Sequence, residues 1–479
     1  MRKRWLKLAA VPVALSIIAV SCGSDDDSDS SSGDTTEETT EGTEDTEGGD
    51  DAGDTGEAGG NALASGPYND VDFFYLPPVS EDFGKPMLTA GTFATAFTAD
   101  EDAMAALEYL ASPEYVENRL AAGAGGFLSA NSNVSIDSYP TPLERSLVEL
   151  LTTSEVARFD AGDLMPGVVG SGSFWSGIVD ITTESKTVAE AFAEIESTWP
   201  EEASPATECE PKEIVPGDGS ITIFGPEVES ELEGFITSME PFTEATGIEV
   251  SITGDRSAAE QIGVQVEGGS APDIMIFPQP GRLIDFARSC DLVPLADNVT
   301  AAISENFVGF DELGNVDGIT YGVPNKSDVK SLVWYSPTAF EAGGYTIPET
   351  HDELVALMDS MVANEDTPLC IGIGSDAATG WPGTDWTEDY MLRLKGPDVY
   401  DQWVNHEIPF DDPDVIEVGE FWFDIWSNPD YVFGGLPFVA STLFSDAGLP
   451  ILEGECLMYR MANFFASQWP EGTQVGPAE

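Results

Sequence analysis

A strand, helix and strand pattern begins almost at the middle of this 479-residue chain, just after Gly217. The buried run "ITIF" predicts a strand, and the apolar side chains from Val228 to Phe242 recur at the spacing of one helix face. Gly247 follows as a helix stop, and "IEVSI" alternates apolar and polar residues as a half-buried strand does. A domain-like pattern that begins this far into the chain raises the question of how the preceding half belongs to the fold.

The same alternation continues beyond this unit. A shorter helix is predicted over residues 258–267, followed by a strand in "PDIMIF" and a helix in "RLIDFARS". Strands that alternate with helices predict a doubly wound α/β sheet, in which ligands bind at the carboxyl ends of the strands, here the loops "GPE", "TGDR" and "PQPG". A second run starts at "KSLVWY", with helix starts at Ser336 and Thr350, and predicts a second lobe.

The charge of the chain excludes two classes of partner. Its 87 acidic and 18 basic residues give a net charge of −69, which repels phosphate backbones and anionic lipid headgroups. Residues 23–60 contain fifteen acidic residues and no basic one among Ser, Thr and Gly. Because such a segment cannot bury enough apolar surface to fold, residues 23–66 are predicted to be a disordered acidic tether. An acidic tail that binds a basic partner is the alternative.

The first 22 residues have the pattern of an export signal. Four basic residues within the first seven positions precede a thirteen-residue apolar run over residues 8–20. As a helix, this run covers about 20 Å of the ~30 Å hydrocarbon core, which favours a signal peptide over a membrane span. The ending "AVSCG" resembles the lipobox of bacterial lipoproteins, which implies a lipid on Cys22. The alternative is an ordinary cleaved signal with an incidental cysteine.

Four further cysteines, Cys209, Cys290, Cys370 and Cys456, remain. An even number in an exported chain predicts two disulfides, for which three connectivities are possible. The sequence contains no C-x-x-C spacing, so zinc and redox motifs have no support.

Several motifs together carry a family resemblance. They are "ITIFGPE", "PFTEATGIEV", "EGGSAPDIMIFPQPG", "DGITYGVPNKSDVKSLVWYSP", "ATGWPGTDWTEDYML" and "RMANFFAS". In this order they resemble the extracytoplasmic solute-binding proteins of carbohydrate ABC importers, most closely the α-glucoside-binding group and more distantly maltose-binding protein. The resemblance covers residues 220–470 and implies a type II periplasmic-binding-protein fold, with two doubly wound lobes joined by a hinge.

The usual continuation of this family lies earlier in the chain. Between residues 70 and 180, "DVDFFYLPPVSEDFGKPMLTAGTFATAF", "GGFLSANSNV" and "DLMPGVVGSGSFWSGIVD" resemble the C-terminal third of the family. The chain therefore resembles a circular permutant, in which residues 67–200 are the usual last part, 201–218 a linker, and 219–479 the usual first part. Such an order is physically allowed because contacts rather than chain order define a fold. A fusion or truncated duplication is the alternative.

The resemblance also implies how the lobes are assembled. One lobe takes about residues 92–137 and 214–325, and the other takes about 68–88, 138–200 and 329–479. This division places Cys209 with Cys290 and Cys370 with Cys456, and these are the disulfides that the resemblance implies.

The ligand residues are likewise implied by the resemblance. On one lobe they are Glu227, Asp255, Arg256 and Gln279; on the other they are Trp381, Asp385, Asn463, Phe174 and Trp175; Lys326 lies near the expected hinge. A neutral sugar offers hydroxyls that donate and accept hydrogen bonds, together with apolar ring faces. Planar polar side chains and aromatic rings that converge in a cleft match both.

Each of these assignments has a plainer alternative. Trp175 and Trp381 could be core aromatic residues, and Arg256 could form a surface ion pair. Glu227 could simply be a carboxylate that the dipole favours at a helix N-terminus.

The sequence thus predicts a monomeric binding protein that is lipid-anchored at the outer face of the cytoplasmic membrane. It would close around an α-glucoside or a related di- or oligosaccharide and deliver it to an ABC permease. No metal, cofactor or catalysis is expected, because His351 and His406 have no nucleophile at a suggestive spacing and "GSGSFWSG" departs from phosphate-binding loops. A cell-surface carbohydrate hydrolase with paired carboxylates, or a sugar receptor or adhesin without a transport role, is the alternative.

Overall fold

A computed structural model of the chain describes residues 69–123, 126–201, 209–210, 212–307 and 309–477. The predicted signal peptide with Cys22, the predicted tether and part of the predicted linker lie outside the described residues. The strands, β1 to β12 in chain order, are Asp72–Tyr75, Pro86–Ala96, Val156–Phe159, Ser220–Gly225, Glu249–Gly254, Ile274–Phe277, Asn315–Val316, Ile319–Thr320, Gly322–Val329, Leu332–Tyr335, Leu369–Cys370 and Met458–Arg460.

The helices surround these strands. The α-helices, α1 to α17 in chain order, are Glu101–Leu110, Pro113–Ala121, Pro142–Thr153, Ala161–Leu164, Trp175–Thr182, Val188–Thr198, Glu229–Thr246, Ala258–Glu267, Pro280–Arg288, Asp297–Asn306, Pro337–Gly343, His351–Ala363, Trp381–Leu394, Pro397–Val404, Pro413–Trp426, Gly435–Ser441 and Phe444–Ala447. A π-helical turn spans Val169–Phe174. Short 3₁₀ helices are Glu81–Phe83, Ile136–Ser138, Asp311–Gly314, Asp376–Ala378, Leu449–Glu453 and Asn463–Ser467.

Two mixed sheets form the two lobes. In the six-stranded lobe the order is β3, β2, β6, β4 and β5, with β9 also paired to β2. Strand β4 is parallel to β5 and β6, whereas β2 is antiparallel to β6 and β9. The four-stranded lobe has the order β1, β10, β12 and β11. The chain crosses from the first lobe to the second between β9 and β10, through Lys330 and Ser331. The fold is the two-lobed α/β architecture that the sequence predicts.

Both halves of the chain contribute to both sheets. Strand β1 pairs with β10, so that Phe73 faces Trp334, and β2 pairs with β6, so that Phe93 faces Phe277. The first and last described segments also meet, because Val71 forms a parallel bridge with Val475. Within the described ranges, the residues before and after the linker form shared sheets and not two independent bodies.

One strand lies in a different sheet from the one that the sequence division gives. Residues 138–200 were assigned to the lobe of the four-stranded sheet, but β3 pairs with the six-stranded sheet. The reason is the length of β2, which has eleven residues. Its second half, up to Ala96, pairs with β6, and its first half, from Pro86, pairs with β3.

The local signals for helix ends are confirmed. The side chain of Thr350 caps α12 and forms a capping box with Glu353. Ser336 caps α11, and Gly247 ends α7 in the left-handed conformation with a φ of 78°. Among the helices of the described ranges, none combines the length and the apolar character needed to cross a bilayer.

Two disulfides join the pairs that the resemblance implies. Cys209 is bonded to Cys290 and Cys370 to Cys456, with Cα atoms 5.4 and 5.6 Å apart, respectively. The first ties the predicted linker to the residues just after α9, and the second lies in the four-stranded lobe.

Candidate functional site

A cavity lies between the two lobes, with about 800 Å³ of space that is partly open to solvent. Pro226, Arg256 and Gln279 line it, and they directly follow the carboxyl ends of β4, β5 and β6. Loops at the carboxyl ends of parallel strands converge at one edge of a sheet, which is where α/β folds bind ligands. The cavity therefore occupies the place that the strand order predicts.

The four-stranded lobe supplies an aromatic wall. The rings that line the cavity are Trp175, Trp381, Phe444 and Phe464. The ring centroid of Trp381 lies 5.0 Å from that of Phe444 and 5.9 Å from that of Phe464. The six-stranded lobe contributes small residues to the cavity, which are Ala90, Gly91, Pro226, Ala259 and Pro278. An aromatic wall facing small side chains suits a ligand with flat apolar faces.

Two glycines bring the tryptophans together. Gly170 lies in the π-helical turn before Trp175, and a Cβ at Gly170 would lie 1.8 Å from the carbonyl oxygen of Gly162. Gly380 has a φ of +115°, and a Cβ there would lie 2.2 Å from the carbonyl oxygen of Trp175. Only glycine permits these approaches, so the starts of α5 and α13 can meet at the cavity.

A buried ion cluster supports the polar side of the cavity. Glu231, at 5% exposure, accepts a hydrogen bond from Arg256 at 2.6 Å and one from Lys326 at 3.3 Å. Burial alone would raise the pKa of Glu231, but Arg256 and Lys326 lower it to about 2. Arg256 also lies over the ring of Phe444, 5.8 Å from its centroid, and so reaches the other lobe.

A second ion cluster lies behind the aromatic wall, where the chain crosses between the lobes. Lys330 donates to Asp385 at 2.8 Å and to Asp160, and it lies 5.3 Å from the ring centroid of Trp381. Asp385 also accepts a bond from Arg460 at 2.9 Å. Burial alone lowers the pKa of Lys330, but the carboxylates around it raise that pKa well above its ordinary value. The ammonium group is therefore charged and fixed.

Asp160, Asp385 and Glu388 offer oxygen atoms within 4.8 Å of one another, a spacing that could hold a metal ion. Lys330 already donates to two of these three carboxylates. The donor set is therefore engaged by an ammonium group, and a cation would have to displace it.

Five of the predicted ligand residues line the cavity: Trp175, Arg256, Gln279, Lys326 and Trp381. The side chain of Gln279 is buried, and its Oε1 has no hydrogen-bond partner in the described part of the chain. Trp175 is buried at 6% exposure and Arg256 is ion-paired with Glu231, so these positions fit the predicted ligand role and also its plainer alternatives.

Phe174 is a correction to the predicted set. It is fully buried in the four-stranded lobe, where its ring centroid lies 4.9 Å from that of Phe410 and 5.8 Å from that of Trp403. Successive residues of a helical turn point in directions about 100° apart, so Trp175 faces the cavity while its neighbour faces the core.

Asp385 and Asn463 are also absent from the described cavity wall. Asp385 is fully buried and bonds to Lys330 and Arg460, as described above. Asn463 accepts a hydrogen bond from the backbone of Val329 and donates one to Gly126, both at 2.6 Å. Both side chains hold the crossing between the lobes in place.

Glu227 and Asp255 are the last two predicted ligand residues that do not line the cavity as the structure describes it. Glu227 is 3% exposed, burial raises its pKa, and its Oε2 has no hydrogen-bond partner among the described residues. Asp255 accepts a bond from the backbone of Ser257 at 2.8 Å, which fixes the turn before α8.

Sequence reasoning missed several residues of the cavity wall. Asp160, Asp163, Lys330, Phe444 and Phe464 all line it. The two aspartates follow the end of β3, so the rule that ligands bind at strand ends would have indicated them had β3 been predicted. No local signal distinguishes the two phenylalanines.

A comparison with known families decides the class of this chain. Residues 225–477, just over half of its length, match the family model of the bacterial extracellular solute-binding protein. The chain belongs to this family. The match covers the loops after β4, β5 and β6 and the aromatic residues Trp381, Phe444 and Phe464. Asp163 and Trp175 lie before the matched residues.

Two relatives of this solute-binding protein have names that indicate a ligand. The osmoprotective compounds-binding protein GgtB of Synechocystis is 41% identical over 256 residues, which is 52% of this chain and 60% of that protein. The alpha-glucosides-binding periplasmic protein AglE of Rhizobium meliloti is 40% identical over 269 residues, 54% of this chain and 58% of that protein. The matches span about three fifths of the length of these relatives.

Solved structures of other binding proteins show a more distant likeness. The bacterial solute receptor AcbH is 22% identical, with a TM-score of 0.46, over 55% of this chain and 68% of that one. The raffinose complex of RafE is 20% identical, with a TM-score of 0.38, over 53% and 65% of the two chains.

Proposed function

We propose that this protein captures an α-glucoside or a related di- or oligosaccharide and delivers it to an ABC permease. The observation that carries the proposal is the cavity between the lobes, in which an aromatic wall on one lobe meets hydrogen-bonding side chains from both. The name of one relative, the alpha-glucosides-binding protein AglE, supports the same ligand class.

The polar groups of the cavity fit a saccharide. Gln279 offers an unpartnered amide oxygen, and Thr92 and Thr384 line the cavity with hydroxyl groups. Sugar hydroxyls can donate to the amide oxygen and accept from Thr92, whereas Thr384 donates to the carbonyl oxygen of Trp381 at 2.9 Å and can only accept from a sugar. Trp175 and Trp381 provide the ring faces on which the apolar side of a pyranose stacks.

Closure of the lobes would hold the ligand. Outside the cavity, the backbone of Gly167 in the four-stranded lobe donates to Asp285 in the six-stranded lobe at 3.1 Å. Arg282 donates to Ser171 across the same interface at 3.3 Å. A ligand that contacts both lobes favours the form in which these contacts exist, and the closed form would dock on the permease.

Attachment to the membrane is a further part of the proposal. The lipobox-like sequence before Cys22 supports a lipid anchor, and the acidic segment after it would give the binding domain reach from the outer face of the membrane. Mass spectrometry of Cys22 from native membranes tests this. An unmodified residue, or a chain cleaved elsewhere, contradicts the anchor.

The order of the chain is proposed to be a circular permutation of the family. The contact between the first and last described segments supports it, since Asn69 donates to the carbonyl oxygen of Gly476 at 2.8 Å. A gene that places residues 209–477 before residues 69–201, with a short glycine linker, tests the proposal. We expect the same circular dichroism spectrum and the same ligand affinity. Failure to fold would show that chain order matters beyond contacts.

Calorimetry tests the function. The Cys22→Ser protein is titrated with maltose, trehalose, sucrose and longer glucosides, and one of them should bind with a stoichiometry of one. The same protein is incubated with a chromogenic α-glucoside, for which we expect no turnover. Turnover would favour a hydrolase. The absence of binding, of any change in tryptophan fluorescence and of a melting shift would favour a receptor without a transport role.

A further inference from the structure

Two of the cations that line the cavity are paired with one cluster of carboxylates. Arg256, with 21% of its side chain exposed, forms an ion pair with Glu231 at 2.6 Å. Lys326, with 11% exposed, lies 3.3 Å from Glu231 and 3.7 Å from Asp328. An anionic ligand that bound either cation would have to share it with a buried carboxylate that already balances its charge. That sharing is costly because it brings a second negative charge close to Glu231.

The third cation is paired in the same way. Lys330 forms ion pairs with Asp385 at 2.8 Å and with Asp160, and only 7% of its side chain is exposed. In the cavity wall as far as it is described, each lysine and arginine thus has a carboxylate partner from the chain itself. The wall holds no cation that is free to bind a phosphate or a carboxylate.

Two acids of the cavity have no such partner. Asp163, at the end of α4 in the four-stranded lobe, is 9% exposed, and within the described ranges its carboxyl group has no hydrogen bond or ion pair. Glu260, on α8 in the six-stranded lobe, has a buried Oε1 with no hydrogen-bond partner among the described residues. The ionisable groups of the cavity that lack an ion-pair partner are therefore acids, and both lobes contribute one.

The electrostatics of these two acids point in the same direction. Burial and the neighbouring Asp160 raise the pKa of Asp163 well above its ordinary value, and burial raises the pKa of Glu260. A protonated carboxyl group can donate to a sugar hydroxyl, and it can ionise beside a ligand ammonium group. A ligand anion is repelled by the ionised carboxylates or makes them take up protons, and either outcome costs binding free energy.

We propose that the cavity selects saccharides by charge, and this rests on the saccharide-binding function proposed above. Neutral and cationic saccharides bind, whereas those that carry a phosphate or a carboxylate are excluded. Asp163 and Glu260, one from each lobe, are the residues that determine this specificity.

Calorimetry with matched probes tests the proposal on the purified full chain. The neutral probes are trehalose, maltose and sucrose, the anionic probes are their 6-phosphates, and the cationic probe is 6-amino-6-deoxytrehalose. One unpaired charge at about 5 Å in a site of intermediate dielectric corresponds to about a 100-fold change in affinity. We therefore expect the best neutral probe to bind at least about 100-fold more tightly than its phosphate. The amino sugar should bind at least as tightly as trehalose.

The possible failures are distinguishable. A phosphate that binds as tightly as its neutral partner, or that binds when no neutral probe does, overturns the charge selection and leaves saccharide binding intact. An amino sugar that binds much more weakly than trehalose also overturns it. If no probe binds, the saccharide function itself is overturned, and the charge selection with it.

Two variants test the residues themselves. Asp163→Asn and Glu260→Gln should each reduce the preference for the neutral probe over its phosphate by about tenfold. Exposed acids on other helices serve as matched controls, and Asp424→Asn and Glu305→Gln should leave the ratio unchanged. Near-UV circular dichroism verifies folding. If Asp163→Asn does not fold, the affinity ratio measured for Glu260→Gln tests the assignment. An unchanged ratio in every folded variant overturns the assignment.

Discussion

Glu231 lies beneath Arg256 and accepts its hydrogen bond at 2.6 Å, while the same carboxylate also accepts one from Lys326 at 3.3 Å. One buried side chain of α7 thus positions two cations of the cavity wall, of which Arg256 follows β5 and Lys326 lies within β9. Its depressed pKa means that the carboxylate stays charged at every pH at which the protein is expected to work. Arg256 and Lys326 are therefore held in one geometry before a ligand arrives.

Replacing Glu231 tests this positioning role. Glu231→Gln leaves the half-buried Arg256 without its carboxylate partner and Lys326 with Asp328 alone, so the free energy of unfolding should fall by about 3 kcal/mol. Ligand affinity should fall by about tenfold or more in the protein that remains folded, as measured by calorimetry. Glu233→Gln, an exposed position on the same helix, is the control. A variant with unchanged affinity would show that the cations do not need this anchor.

Phe174 and Trp175 are adjacent in sequence, but Phe174 lies in the core and Trp175 lines the cavity. Phe174→Ala removes a fully buried ring and should lower the free energy of unfolding by about 3–5 kcal/mol. Its effect on the ligand affinity of the folded fraction should be small. Trp175→Ala should instead weaken binding by about 30-fold or more, because it removes an aromatic surface of the cavity. Urea unfolding and calorimetry measure the two effects, and the reverse pattern would contradict the structure.

Gly380 permits the start of α13 to approach the backbone of Trp175 closely. Gly380→Ala would place a methyl group 2.2 Å from the carbonyl oxygen of Trp175, at a φ of +115°. The control is Gly472→Ala, which has a φ of +93° and no atom within 4 Å of the added carbon, so it reports the cost of the backbone conformation alone. We expect the control to lose about 1–2 kcal/mol of unfolding free energy and Gly380→Ala to lose clearly more, together with ligand affinity. Equal losses would mean that the helix start simply moves.

His351 should make the stability depend on pH below neutrality. It is 6% exposed, its Nε2 lies 3.1 Å from the hydroxyl of Tyr390, and burial lowers its pKa to about 4. The unfolded chain binds a proton near pH 6.5, whereas the native state does not until about pH 4. The contribution of His351 to the free energy of unfolding is therefore complete above pH 6.5. About 3 kcal/mol of it is lost as the pH falls towards 4.

Urea unfolding at several pH values measures this dependence. In His351→Gln, the difference in bound protons between the unfolded and native states should be about one proton smaller between pH 4.5 and 6. The slope of the unfolding free energy against pH between pH 7 and 8 should be the same as in the unchanged chain. Identical slopes in the lower range would contradict a neutral buried histidine.

Much of the architecture follows from local sequence. The strand and helix periods from β4 to α9 are explicit, and the capping box at Thr350 and the stop at Gly247 lie where predicted. These signals are readable because hydrophobic spacing and capping chemistry act within a few residues. The two cysteine pairs follow once the lobes are divided as the resemblance implies.

Tertiary structure decided which side chains reach the cavity. Phe174 and Trp175 are neighbours of the same chemical type, yet only Trp175 lines the cavity, because a helical turn separates their directions. Asp385 was chosen as a ligand residue, whereas Lys330 and Arg460 engage it below the wall. Such outcomes depend on contacts between segments far apart in the chain, and no local pattern encodes them. Sequence determined the elements and their ends; the packing of the lobes determined the site.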